Sequence, residues 1–194
     1  MQTPKIKTLP TALQLKTELD RINHKKEFRK VLKGTIISLI AVAAISVLIS
    51  VLFIPVLKVT GSSMEPTLAD NQYVLCLNNQ KYKTGDVIAF YYNNKILLKR
   101  VIAGPGDVVD ISEDGTVYVN GNIISESYIT DKSKGKCDIE LPYQVPENRI
   151  FVMGDHRSES VDSRSEVIGC ISKKDIVGKV IFRIYPLDEI GKIK

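Results

Sequence analysis

The chain has 194 residues, 44% of them apolar and 25% charged, which is enough for a packed core and excludes wholesale disorder. Its net charge of +5 is not a nucleic-acid face, because residues 1–33 hold nine Lys/Arg against three Asp/Glu while residues 34–194 hold 18 against 19. Three cysteines, Cys76, Cys137 and Cys170, lie far apart without CxxC spacing, which argues against a zinc site, and an odd number leaves at least one thiol unpaired within a monomer.

Residues 1–33 read as a solvated basic segment, a flexible tail or a short amphipathic helix, with Lys25, Lys26, Arg29, Lys30 and Lys33 crowding its end. Residues 35–57 then carry no charge. A helix of that length spans about 34 Å at about 1.5 Å per residue, the thickness of a bilayer core. It is apolar on every face, so an amphipathic surface helix is excluded. The run is longer than the apolar region of a typical secretory signal and lies behind 33 residues rather than a short basic start. A retained transmembrane anchor over 34–57 therefore fits better than a cleaved signal. Basic flanks stay cytoplasmic, which places the N-terminal segment inside and residues 58–194 outside. Pro55 ends or kinks the helix near the outer interface.

Beyond the anchor the period changes from helical to extended. Val56–Thr60, Tyr73–Leu77, Asp86–Tyr92 and Ile96–Ala103 read as strands rich in Val, Ile and aromatic residues. Asn93-Asn94 signals a hairpin, as does Asn120-Gly121 between Thr116–Val119 and Ile123-Ile124. Gly104-Pro105-Gly106-Asp107 is a turn, residues 125–148 an irregular insertion and residues 154–165 a charged loop between the strands Arg149–Met153 and Val177–Tyr185. The outer part, 58–194, is expected to be mostly β, with about 108–148 forming a smaller subdomain or flap. No internal repeat is present.

Gly61-Ser62-Ser63-Met64-Glu65-Pro66-Thr67-Leu68 opens this outer part. A serine on such a turn, backed by free backbone N–H groups, suits attack on a carbonyl, although turns of this composition are mostly just turns. A nucleophilic serine needs a base. Of the two histidines, His24 falls on the other side of the predicted membrane, and His156 sits in a charged loop where a solvated role is the commoner one. Lys99 lies in the otherwise apolar strand Ile96-Leu97-Leu98-Lys99-Arg100-Val101-Ile102. Alternation puts Leu97, Lys99 and Val101 on one face and Leu98, Arg100 and Ile102 on the other. Desolvation there lowers a lysine from its ordinary pKa of about 10.4, and near 7–8 the amine is a competent general base. Such a depression calls for apolar neighbours without a nearby carboxylate. Taken by itself the strand favours the alternative, a lysine that snorkels to solvent at an edge.

A third stretch, Gly154-Asp155-His156-Arg157-Ser158-Glu159-Ser160-Val161-Asp162-Ser163-Arg164, packs polar groups between two apolar strands. With the anchor, Ser63-Met64-Glu65-Pro66-Thr67-Leu68, Gly85-Asp86-Val87, and Lys99-Arg100-Val101 followed by Gly104-Xaa-Xaa-Gly-Asp, it makes five ordered motifs. Over roughly residues 35–185 the chain resembles the bacterial type I signal peptidases, membrane-anchored Ser-Lys endopeptidases that remove signal peptides from exported proteins. The resemblance implies an extracytoplasmic antiparallel β catalytic domain behind a single N-terminal helix. It implies Ser63 as nucleophile and Lys99 as general base, with no metal and no cofactor. It implies Ser160 as a hydrogen-bond partner that orients the lysine amine, Asp162 and Arg164 as a structural ion pair, and Asp155 as a brace of the same loop. The Ser63 N–H would donate to the oxyanion. Some members carry a second donor hydroxyl two residues earlier, where this chain has Gly61. His156, Ser158 and Glu159 depart from the commoner Asn and Asp-Asn of this loop and lie outside the inferred pair.

The implied partners are exported preproteins with small side chains at −1 and −3 before the cut, and membrane lipid; nucleic acid is not among them. The peptide would bind extended along a strand edge, with Val59, Met64, Leu97 and Leu98 lining shallow apolar pockets. Two other classes compete. A self-cleaving Ser-Lys peptidase of the repressor type is opposed by the uncharged run, and a membrane-tethered β-domain that only binds is opposed by intact Ser63, Lys99 and Ser160.

Overall fold

The structure, a computed structural model, describes residues 10–78 and 81–193. Its contacts divide the chain into two units, Met1–Ser50 and Val51–Lys194. Helix α1 (Ala12–Phe53) supplies most of the described part of the first, and its last three residues fall in the second. The basic segment is therefore not a separate tail or short helix: from Ala12 onward it continues without a break into the apolar run, because no proline or strong helix breaker other than Gly34 intervenes. The part of that expectation that falls on residues 1–9 lies outside the described residues. On a helix turning about 100° per residue, Lys25, Lys26, Arg29, Lys30 and Lys33 fall within an arc of about 140°, and Glu27 falls outside it. The helix stops at Phe53, two residues short of Pro55, since the residue before a proline is pushed out of the α region.

The second unit is built on two antiparallel sheets. In the larger, β1 (Val56–Lys58) pairs β2 (Tyr73–Leu77), β3 (Val87–Tyr92) pairs β4 (Lys95–Ala103), and residues Asn93 (φ 43°) and Asn94 (φ 61°) supply the two positive φ angles that a tight hairpin demands. The smaller sheet has β5 (Val108–Ile111) at its centre, paired with β6 (Val117–Val119), which turns through Asn120-Gly121 into β7 (Asn122–Ile123), and with β8 (Tyr143–Gln144). The chain then returns to the larger sheet as β9 (Arg149–Met153), β10 (Ile171–Ser172), β11 (Ile176–Tyr185) and β12 (Gly191–Lys192). The larger sheet runs β1-β2-β11-β3-β4-β9-β10, with β12 on β11. Residues 125–148, expected to form an irregular insertion, contribute β8. Two residues are too few to show any period, and their pairing is set by β5 across the sheet.

β3 explains how the core divides. Val87, Ile88, Ala89 and Phe90 are all buried, so the strand is apolar on both faces. Val87 and Ala89 pack with Val59, Met64, Leu68, Val74, Cys76 and Val180. Ile88 and Phe90 pack with Val101, Ile150, Val152 and Ile171. A third cluster joins the two sheets, with Ile102, Ala103, Phe151 and Met153 meeting Val109, Ile111, Val117 and Val145. β1 and β4 are separated by three strands in the sheet order, so the sheet has to curl to bring residues beyond β1 against β4. That curl forms the site.

Candidate active site

Ser63 sits on the turn after β1. The turn is pinned from both ends. Gly61, with φ 86°, donates its N–H to Asp70 Oδ1 at 2.8 Å, and Leu68 N–H bonds the Met64 carbonyl at 2.8 Å. Met64 and Leu68 are 2% and 0% exposed, so two apolar anchors hold the turn to the core while Ser63, just before the first of them, stays partly exposed. Among the described residues no group accepts the Ser63 N–H. Gly61 lacks a hydroxyl, and its own N–H is taken by Asp70, so the place two residues before Ser63 supplies no second donor.

Lys99 comes from the middle of β4, opposite Ile88 of β3. Its Nζ lies 2.6 Å from Ser63 Oγ, and the residue is 4% exposed. Burial pushes the amine down to about 8, while Asp162 and Asp155 pull it up and Arg164 opposes them. The expectation of a lysine without carboxylate neighbours is thus corrected. Two carboxylates are close, but each is clamped by an arginine, so Lys99 meets two pairs of almost zero net charge and desolvation prevails. Asp155 accepts Arg100 Nε and Nη2 at 2.8 and 2.7 Å. Asp162 accepts Arg164 Nε and Nη2, both at 2.8 Å, and the Gly154 N–H at 2.9 Å. Burial alone would raise Asp162, yet these donors outweigh it and hold its carboxyl below the usual carboxylate range.

The loop after β9 closes against the serine turn. The His156 N–H donates to the Ser63 carbonyl at 3.2 Å. Glu159 Oε2 accepts the Ser62 hydroxyl at 2.7 Å and lies 3.6 Å from His156 Nδ1. So His156 and Glu159, set aside on sequence grounds as outside the pair, frame it from the next residues along. Among the described residues no hydrogen bond joins the His156 imidazole to Ser63. Ser160 is 3% exposed, and its Oγ makes no hydrogen bond of normal geometry. The bond from Ser160 to the lysine amine that the resemblance implies is therefore not formed: Lys99 Nζ is directed to Ser63 Oγ instead. Ser160 still lies at the site, since a Cβ on Gly154 would collide with both the Ser160 side chain and the Ser63 carbonyl.

Val59, Met64, Leu97 and Leu98 all line one cavity of about 380 Å³ that runs from Leu57–Gly61 to Ile96–Lys99 and ends at Ser63. Its walls are the edge beyond β1 and the start of β4, two extended segments facing an open trough. Sequence reasoning missed Arg100 and Gly154. Arg100 is 1% exposed and also donates to the Gly85 carbonyl (2.6 Å) and Thr67 Oγ1 (3.0 Å). A second cation on the opposite face of an apolar strand was the available signal, because a buried guanidinium demands a buried carboxylate. For Gly154 there was none, since the close approach it permits is made by residues distant in sequence.

The family described as signal peptidase, peptidase S26, matches residues 31–185. Signal peptidase I of Bacillus amyloliquefaciens is 35% identical over 191 residues, covering 93% of this chain and all of that protein. Signal peptidase I S of Bacillus subtilis (strain 168) is 32% identical over 185 residues, covering 89% and 97%. The crystal structure of a signal peptidase I from Enterococcus faecalis V583 is 30% identical with a TM-score of 0.42, covering 51% of this chain and 96% of that one. With the match extending over most of its length, the chain belongs to the signal peptidase family, peptidase S26.

Proposed function

We propose that Ser63 and Lys99 form the catalytic pair of this chain. As a member of its family the chain is a serine endopeptidase that cleaves signal peptides, and its substrates are exported preproteins. The observation that supports the pair is the 2.6 Å separation of Lys99 Nζ and Ser63 Oγ with the amine lowered to about 8. The neutral amine takes the Ser63 proton as Oγ attacks the scissile carbonyl carbon. The carbonyl oxygen becomes an oxyanion within reach of the Ser63 N–H. When the C–N bond breaks, the Lys99 ammonium returns its proton to the departing amine, and the signal peptide remains as an ester on Ser63. Water then attacks the ester with Lys99 again accepting the proton, which releases the peptide acid and regenerates the serine. Asp155 and Asp162 brace the loop behind the pair through Arg100 and Arg164.

The trough between the segment beyond β1 and the start of β4 fits an extended peptide bonded along its backbone, with small side chains before the cut facing Val59, Met64, Leu97 and Leu98. The family is membrane-associated, and α1 is long and apolar enough to cross a bilayer. We place the segment before the apolar run in the cytoplasm, with its stripe of five Lys/Arg against lipid headgroups, and residues 58–194 outside. Added protease should degrade the outer part in intact protoplasts; protection would reverse the topology. For the pair, wild type, Ser63→Ala and Lys99→Ala are compared on a preprotein with an Ala-Xaa-Ala site. Loss of cleavage in both variants is expected, and normal turnover in either overturns the assignment.

A further inference from the structure

Two buried guanidinium groups hold the loop that follows β9. Arg100 grips it through Asp155, and Arg157 through the Gly154 carbonyl at 3.1 Å. Both are covered by one short segment between β7 and β8. Arg100 Cζ lies 3.8 Å from the centroid of the Tyr128 ring. Arg157 is paired with Glu126, the two side chains 0% and 3% exposed. Tyr128 Oη donates to Glu126 Oε1 at 3.0 Å, which ties the two covers together. Nothing in the chemistry above uses Glu126 or Tyr128. Buried cations are tolerated only when paired, and an aromatic face over a desolvated guanidinium adds attraction of its own.

We infer that Glu126 and Tyr128 are positioning residues for the Ser63–Lys99 pair, acting through Arg157 and Arg100 on the loop whose His156 N–H holds the Ser63 carbonyl. The inference rests on the assignment of that pair. Its consequence is directional. The groups that face Lys99 are Ser63, Asp155 with Arg100, and Asp162 with Arg164. Removing the Tyr128 ring admits water around Arg100 and loosens its grip on Asp155. A less compensated Asp155 favours the ammonium, so the lysine moves upward. Glu126 acts on the same loop from the other side, because an Arg157 left without its carboxylate cannot stay buried against the Gly154 carbonyl.

The test uses the full chain in detergent or proteoliposomes and a peptide with an Ala-Xaa-Ala site. Tyr128→Leu is expected to lower kcat about tenfold, to leave KM within about twofold, and to shift the ascending pH limb to higher pH. Tyr128→Phe keeps the ring and is expected to restore both. Glu126→Gln should reduce kcat while Glu126→Asp retains it. Where Tyr128→Leu does not fold, Tyr128→Met, closer in volume, is read the same way. An unmoved pH limb overturns the inference even if kcat falls, because loss of packing alone leaves the lysine where it was. So does a Phe variant as impaired as the Leu variant. Failure of the underlying assignment shows separately, as turnover that survives Ser63→Ala.

Discussion

Lys99 Nζ lies 2.6 Å from Ser63 Oγ, on an amine that burial has brought down to about 8. If the amine is the base, only its neutral form works. Activity should climb with pH along a limb centred near 8, since the ammonium below that value cannot accept the serine proton. Lys99→Arg is expected to be as inactive as Lys99→Ala, with losses of at least about a thousandfold, because a guanidinium stays protonated. A kcat/KM profile from acid to alkaline pH measures the limb. A profile flat through this range would remove Lys99 from the role.

The same lysine weakens the fold. Its folded value, about 8, is below the ordinary 10.5, so the ammonium is harder to bury than to leave in the unfolded chain. The penalty is fully present below pH 8 and fades as pH rises toward 10.5, where the unfolded chain binds more protons than the native one. Lys99→Met should therefore melt higher than wild type at neutral pH, by a difference on the order of 3 kcal/mol in stability. The gap should close at alkaline pH. Melting curves of the inactive variant across pH decide the point, and a variant less stable at pH 7 would contradict it.

Gly154 is where the β9 loop touches the serine turn. A methyl there meets the Ser160 side chain and the Ser63 carbonyl, and the carbonyl can yield only by shifting the Ser63 backbone. Gly154→Ala is expected to lower kcat by about 10- to 100-fold, the usual penalty for a reacting group displaced by about 1 Å. Cleavage at the wild-type rate would mean that the turn accommodates the change.

Asp162 and Arg164 are both fully buried. Asp162→Asn leaves the arginine charge uncompensated and should destabilise the β domain by about 3–5 kcal/mol. Because the folded carboxyl lies below its ordinary value of 3.8, its contribution is present above that value and lost as pH falls through the lower, folded one. Denaturant melts at neutral and acid pH should show the wild-type advantage shrinking toward the acid end. An equal gap at all pH values would assign the loss to packing rather than charge.

Ser62 and His156 test the register and the rival base. The Ser62 hydroxyl bonds an exposed carboxylate, Glu159, a contact worth at most about 1 kcal/mol, so Ser62→Ala should retain turnover within about fivefold. His156 serves Ser63 with its backbone N–H, which alanine also has, and His156→Ala should fall in the same range. If His156→Ala were inactive while Lys99→Ala still turned over, a histidine mechanism would take the place of the one proposed.

Much of this protein is decided by local pattern. The helical course of the uncharged run up to Phe53, the helix stop before Pro55, the Asn-Asn and Asn-Gly hairpins and the strands Tyr73–Leu77 and Arg149–Met153 follow from composition, period and turn chemistry that neighbouring residues set among themselves. The ordered motifs around Ser63, Lys99 and Gly154–Arg164 made the family recognisable. What the strand of Lys99 could not decide alone was whether the lysine snorkels or is buried, since a single strand does not reveal what covers its faces. The curl of the sheet decides that, by bringing a turn from beyond β1 across three intervening strands. Tertiary structure likewise supplies Arg100 and Arg164 as the clamps that let two carboxylates stand near a depressed lysine, the two-residue strand β8, and the approach that requires Gly154. Each of these depends on contacts between residues tens of positions apart, where desolvation and charge compensation act through space and leave no period in the chain.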